Sequence, residues 1–216
     1  VKTIEPKEEF IISEHVNTKP TPHLIDGTDF YAQKLSDKAP CILFIFDDGT
    51  SQTKQTLMPL AIDLDIKAGI ALYYSGMAAS NDNVSIKDAY EFNLKSGGEV
   101  LSHSMNSEKL DDQVDKYYGS ELIRTSADIF RQFGFSARGF VAPNSILSSK
   151  FNEALIESYD FAFTRSVALT DPYNGLNFPW DNLYSLVRIG LESITTEKAK
   201  EFRDAAAKTW AMICFY

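Results

Sequence analysis

Three short stretches of this 216-residue chain carry side chains able to do chemistry together. Asp47-Asp48-Gly49 sets two carboxylates side by side, and adjacent acids repel unless a cation or hydrogen-bond donors offset them. His103-Ser104 supplies an imidazole, with Asn106 and Ser107 close behind. Pro143-Asn144-Ser145 is a polar turn, and a single charge, Arg188, interrupts the apolar run Tyr184–Leu191. Taken singly, each has an ordinary structural explanation. What matters is whether the fold brings them to one place.

Each stretch follows a predicted strand. Cys41–Phe46 is six apolar residues rich in β-branched and aromatic types, the pattern of a strand buried on both faces. Gly49 lets the chain turn after it. Glu99–Ser102 stops at His103, and Arg138–Ala142 stops at Pro143. Further strands are predicted over Gly69–Tyr74, Tyr159–Phe163, Leu183–Leu191 and Trp210–Tyr216.

Helices are predicted between the strands. One spans Thr53–Ile66, with Leu57, Leu60, Ala61 and Leu64 on its apolar face and Pro59 in its first turns. A second opens at Ser85, with Asp88 three residues on as in a capping box, and ends at Gly97-Gly98. A third carries Tyr118, Leu122, Ile129, Phe130 and Phe133 on one stripe, with Gly119 at its start or at a break. Ser149 is expected to cap a helix burying Phe151, Ala154 and Leu155, and Thr196 one burying Ala199, Phe202 and Ala206. Asp171–Asp181 reads as a loop.

This alternation predicts a parallel α/β architecture. Seven units without a glycine-rich nucleotide turn or an internal repeat favour a distorted (β/α)7-type parallel barrel, with an open doubly wound sheet as the alternative. In such a barrel the C-terminal strand ends share one face, where active sites are built. Asp47-Asp48, His103 and Pro143-Asn144 are therefore predicted to meet. Residues 1–39, broken by Pro6, Pro20 and Pro22, are expected to form an N-terminal arm or linker, and 40–216 the domain. His15 and His23 fall in the arm and read as solvated.

The net charge of -9 argues against nucleic acid and anionic membranes as partners, which need basic surface. No run approaches the ~18 apolar residues of a membrane span, and no signal-peptide pattern is visible. Cys41 and Cys214 lie in apolar runs and read as buried thiols rather than a disulfide framework.

Phe46-Asp47-Asp48-Gly49 at the end of an apolar strand resembles the first motif of the polysaccharide deacetylases, the NodB-homology family of carbohydrate esterases. Ser102-His103-Ser104 resembles the second, although the position four residues after His103, usually a second His, holds Ser107. Arg138 to Ser145 is similar to the third, with Arg138, Phe140 and Pro143 in place. Asn144 and Ser145 stand where an aromatic and a glycine are usual. Trp180-Asp181 and Asp171 are candidates for the fourth motif. Ala211–Tyr216 resembles the approach to the fifth, whose His would follow about one residue after Tyr216, which implies either truncation there or a missing general acid.

The resemblance implies metal-dependent hydrolysis of N-acetyl groups on an amino-sugar polysaccharide (peptidoglycan, chitin-like chain or surface glycan). Asp47 would be the general base, and Asp48 and His103 would be ligands of a divalent metal, Zn first and Mn, Co or Ni next. Ser107 is the positional third ligand or, alternatively, a helix N-cap. The Asn144 N–H would face the oxyanion, while Arg138 and Pro143 would line the substrate groove. Arg188 either orients Asp47 or points to the far end of the barrel. By the same analogy the protein works outside the cell or at its surface. The alternative is a glycan-binding or structural module that keeps the barrel and has lost catalysis, favoured by Ser107 in place of a second His, by Asn144-Ser145 and by the lack of the fifth-motif His.

Overall fold

Among the described residues, eight strands form one sheet: β1 (Cys41–Phe46), β2 (Gly69–Leu72), β3 (Glu99–Ser102), β4 (Gly139–Val141), β5 (Phe161–Val167), β6 (Leu176–Asn177), β7 (Leu186–Ile189) and β8 (Met212–Phe215). The computed structural model describes residues 41–167, 172–177, 182–191, 194–209 and 211–216. The expectations for the arm, Asp171, Trp180 and Asp181 lie outside the described residues. Seven strands run parallel in the order β1-β2-β3-β4-β5-β7-β8, and β8 pairs back onto β1 from Cys41–Met212 to Phe44–Phe215. That last ladder closes the barrel, so the closed architecture rather than the open sheet is the one formed.

Side chains alternate across the barrel wall, as strand geometry requires. Ile45, Ala71, Leu101, Val141, Phe163, Leu186, Met212 and Cys214 form the apolar cluster that fills the interior. Their neighbours on the strands, such as Ile70, Val100, Phe140 and Ile213, pack outward against helices.

Among the described residues, six α-helices surround the sheet: α1 (Met58–Asp63), α2 (Tyr74–Ala79), α3 (Ile86–Ser96), α4 (Lys116–Gln132), α5 (Asn152–Ser158) and α6 (Thr196–Thr209). The capping box forms as expected: Asp88 N–H donates to Ser85 Oγ, Ser85 N–H donates to the Asp88 carboxylate, and Gly97 closes α3 in the left-handed conformation. Among the described residues no helix is long and apolar enough to cross a membrane.

The first helix departs from its expected face. The chain enters α1 through a π-helical turn, Thr53–Leu57. A π turn takes one more residue than an α turn, so it rotates every later side chain away from the simple helical register. Met58 and Ala61 are buried, whereas Leu60 and Leu64 are 49% and 59% exposed. The predicted second strand also stops early, because Tyr74 opens α2. Gly119 lies in the first turn of α4, near its start and not at a break, and a Cβ there would collide with the Phe151 ring. Ser148 rather than Ser149 caps the turn before α5, and Thr195 accepts from Lys198 N–H at the start of α6.

β6, inside the expected loop, is a further departure. β7 and β8 meet only at Ile189–Phe215. Towards their starts they separate, and β6 lies there antiparallel to β8, Leu176 opposite Ile213 and Asn177 opposite Met212.

Candidate active site

The strand ends do converge, and the turn after β1 shows how. Asp48 and Gly49 both adopt left-handed backbone, φ 66° and 61°. Position 49 must be glycine on two counts, conformation and space, because a Cβ would run into Leu72. Gly49 N–H donates to Asp47 O and Val84 N–H to Gly49 O, each at 2.8 Å. Lys54 ties the same corner down through the carbonyls of Asn81 and Asn83 and a 2.9 Å ion pair with Asp88. This tight reversal sends the two neighbouring carboxylates to different partners.

Asp47 pairs with Arg188. One guanidinium nitrogen, Nη1, donates to both carboxylate oxygens at 2.7 and 2.8 Å, and Nη2 donates to Ser145 Oγ at 3.0 Å. The guanidinium also stacks 4.2 Å from the centre of the Tyr216 ring. Arg188 is completely buried, which a cation tolerates only when paired and hydrogen-bonded. Arg188 therefore points toward Asp47 and not to the far end of the barrel.

Asp48 faces His103. The imidazole is buried, and its Nδ1–H donates to Val141 O at 2.7 Å, which leaves Nε2 directed at Asp48 Oδ1, 3.4 Å away. When Nε2 carries a proton, its hydrogen bond holds the Asp48 carboxyl below the usual range. Burial opposes this, and the charges of His103 and Arg188 add to it.

Two ligands of one zinc ion at ~2.1 Å in tetrahedral geometry stand about 3.4 Å apart. The Asp48–His103 spacing and the fixed His103 tautomer thus fit two ligands of a divalent ion. A third is not supplied by any His, Cys, Asp or Glu clustered with them among the described residues. Ser107 is exposed on the loop after β3, and its carbonyl accepts from Asn144 Nδ2 at 3.1 Å. Nor does Ser107 cap a helix, since Asp115 does that for α4.

Around the mouth, Ser104, Asn144 and Ser145 join Asp48 and Gly49 in the left-handed region, at φ 72°, 55° and 54°. For non-glycine residues each such turn is strained and persists only when its surroundings enforce it. Here the bonds from Asn144 to Ser107 and from Arg188 to Ser145 do so. Pro143 is buried at the base of that turn.

Arg138 is the misplaced member of the expected set. It immediately precedes β4, and five residues of extended chain put it roughly 16 Å from Pro143, at the opposite end of the barrel. There its Nε donates to Asp160 at 2.8 Å, close to Glu99, whose carboxyl is pushed up by burial. It is not part of the mouth, and its expected groove role is corrected accordingly. Tyr73 and Tyr216 belong to the mouth without having been singled out. Tyr73 leaves β2 beside His103, ring centres 6.4 Å apart, and Tyr216 ends β8 under Arg188. Their signal was an aromatic residue directly after an apolar strand run.

No protein-family model matches the chain, and no curated protein matches it. Solved structures do. A deacetylase from Streptococcus pyogenes, PplD in complex with acetate, aligns over 82% of this chain and 86% of its own, with a TM-score of 0.61 and 18% identity. The BpsB deacetylase domain from Bordetella bronchiseptica aligns over 86% and 83%, with a TM-score of 0.57 and 14% identity. BA3943, a CE4 family pseudoenzyme from Bacillus anthracis, aligns over 82% and 64%, with a TM-score of 0.51 and 11% identity. The chain has the fold of these deacetylases and of the CE4 carbohydrate esterase family.

Proposed function

We propose that this chain hydrolyses N-acetyl groups on an acetylated amino-sugar polymer such as peptidoglycan, a chitin-like chain or a surface glycan. The observation that carries this reading is the division of labour between two adjacent carboxylates at the barrel mouth. Asp47 is held by buried Arg188, and Asp48 faces His103 Nε2. Neighbouring acids with different partners suit different tasks.

In this reading water attacks the acetyl carbonyl carbon while Asp47, fixed by Arg188, takes its proton. The carbonyl electron pair moves to oxygen, next to the backbone N–H of Asn144. Collapse expels the amine, which needs a proton equal to the one Asp47 took, and leaves acetate. Asp48 and His103 would hold a divalent ion, zinc before manganese, cobalt or nickel, which when bound polarises the carbonyl and acidifies water. Ser107 would add a weak oxygen donor or none. Pro143 would shape the groove, and polymers of this kind place the protein outside the cell or at its surface.

A second reading is a glycan-binding module without catalysis. It is favoured by exposed Ser107 in place of a second imidazole, and BA3943 gives a precedent for this fold without activity. Acetate release from acetylated amino-sugar oligomers separates the two. Release that a chelator abolishes, Zn²⁺ or Mn²⁺ restores and Asp47→Asn lacks supports the deacetylase. Oligomer binding without release under any metal supports the module.

A further inference from the structure

Val187 sits beside Arg188 on β7, and its backbone raises a bonding problem. In a parallel strand the N–H and C=O of alternate residues point to the same side. Ile189 turns its carbonyl to β8, accepting from Tyr216 N–H at 3.0 Å. Val187, two residues earlier, faces the same way, but β8 has separated from β7 at that level and pairs with β6 instead. Both polar groups of Val187 would be left buried without partners.

Asn177 fills the gap. Its Nδ2 donates to Val187 O at 2.9 Å, and its Oδ1 accepts from Val187 N–H at 2.7 Å. A carboxamide carries the same donor and acceptor as a peptide unit, so the side chain reproduces one rung of a ladder. Meanwhile the Asn177 backbone pairs with Met212 on β8. Asn177 is 1% exposed, so no water competes for these bonds.

We propose that Asn177 is a positioning residue of this site. By supplying the missing rung at Val187 it fixes the height and rotation of the next residue, Arg188, and through Arg188 the carboxylate of Asp47. The kinetic part of this inference rests on the reading of Asp47 as general base. The geometric part does not.

The test compares Asn177→Ala, Asn177→Asp and Phe92→Leu. The aspartate keeps an acceptor for Val187 N–H and loses the donor to Val187 O. Phe92, on the buried face of α3, belongs to a different core cluster from the seam and serves as a control for general destabilisation. Three readouts are taken: amide exchange at Val187, the Nε–H resonance of Arg188, and kcat against KM for acetate release. Arg188 Nε has no hydrogen-bond partner among the described residues and is shielded only by burial, so its resonance reports the seating of the guanidinium.

Faster Val187 exchange and a broadened or shifted Arg188 signal are expected in Asn177→Ala, less so in Asn177→Asp and not in Phe92→Leu. With these, kcat falls on the order of 10²-fold with little change in KM, as for a misplaced catalytic group. An unchanged Arg188 signal in both Asn177 variants overturns the proposal. So does faster Val187 exchange with kcat intact. If the wild type releases no acetate, the deacetylase reading fails separately and the Arg188 signal alone decides the positioning role.

Discussion

Replacing Arg188 by methionine asks how strongly the mouth depends on one buried cation. The side chain of Arg188 is 1% exposed and that of Asp47 19%, joined by bonds of 2.7 and 2.8 Å. Removing one partner of a buried pair costs about 3–5 kcal/mol, because the other charge is left unpaired. Some water reaches Asp47, which argues for the lower end, about 3 kcal/mol. For a domain of this size each kcal/mol moves Tm by roughly 2–4 °C, so Arg188→Met should melt about 6–12 °C below the wild type. The double variant Asp47→Asn with Arg188→Met removes the stranded charge and should recover part of the loss. Arg188→Lys keeps the charge, but one ammonium cannot reproduce the fork to Asp47 and Ser145, and it should fall between the two. Thermal and urea melts followed by circular dichroism provide the values. An Arg188→Met variant melting within about 2 °C of the wild type refutes the reasoning. A double variant no more stable than the single one refutes it equally.

Three further outcomes are expected. Glu99 has its carboxyl raised by burial, with Arg138 opposing and Asp160 adding, so its folded-state preference is for the protonated form. The stability it contributes is present below its unfolded pKa and is lost as pH rises through the folded value. Glu99→Gln should accordingly be more stable than the wild type at neutral pH, with the gap closing toward pH ~4 in urea melts. Ser145→Gly relieves a left-handed residue worth about 1–2 kcal/mol but frees Arg188 Nη2, so its net effect on stability should be small. Ser145→Ala keeps the strain and loses the bond, and calorimetry should find it the less stable of the two. Zn²⁺ and Mn²⁺ titrations should show binding lost in Asp48→Ala and His103→Ala. Ser107→His should bind at least about tenfold tighter than the wild type, one 1.4 kcal/mol increment. Equal affinity in all four proteins counts against the ion site.

How far the sequence discloses the molecule depends on whether the signal is local. A run of apolar residues stopping at Asp47-Asp48-Gly49, or Ser85 followed by Asp88, is a local pattern, and the fold honours both. Arg188 was visible as a charge within an apolar strand, but alternation alone does not say which end of a barrel a long side chain reaches. Arg138 was matched by its distance in sequence from Pro143. Yet extended chain turns that distance into the length of a strand, so the two cannot share a face. The Leu60 and Leu64 stripe failed because a π turn upstream shifts the register, and no composition signal marks such a turn. β6 was hidden more deeply still. Two residues between prolines carry no periodicity, and Asn177 acquires its partner only when β7 and β8 splay apart around it.

The Asp47–Arg188 bond joins residues 141 positions apart, one just after β1 and the other on β7, the sixth of the seven barrel strands. Among the described residues, Asp47 is the carboxylate hydrogen-bonded to that guanidinium. Burying β7 without β1 in place would bury Arg188 without its Asp47 partner, which is costly for a cation. Such long-range closure is slow, because chain entropy is lost before the contact forms. The same contact that orders the mouth thus ties the turn after β1 to β7 across β8, so the mouth is complete only when the barrel is closed.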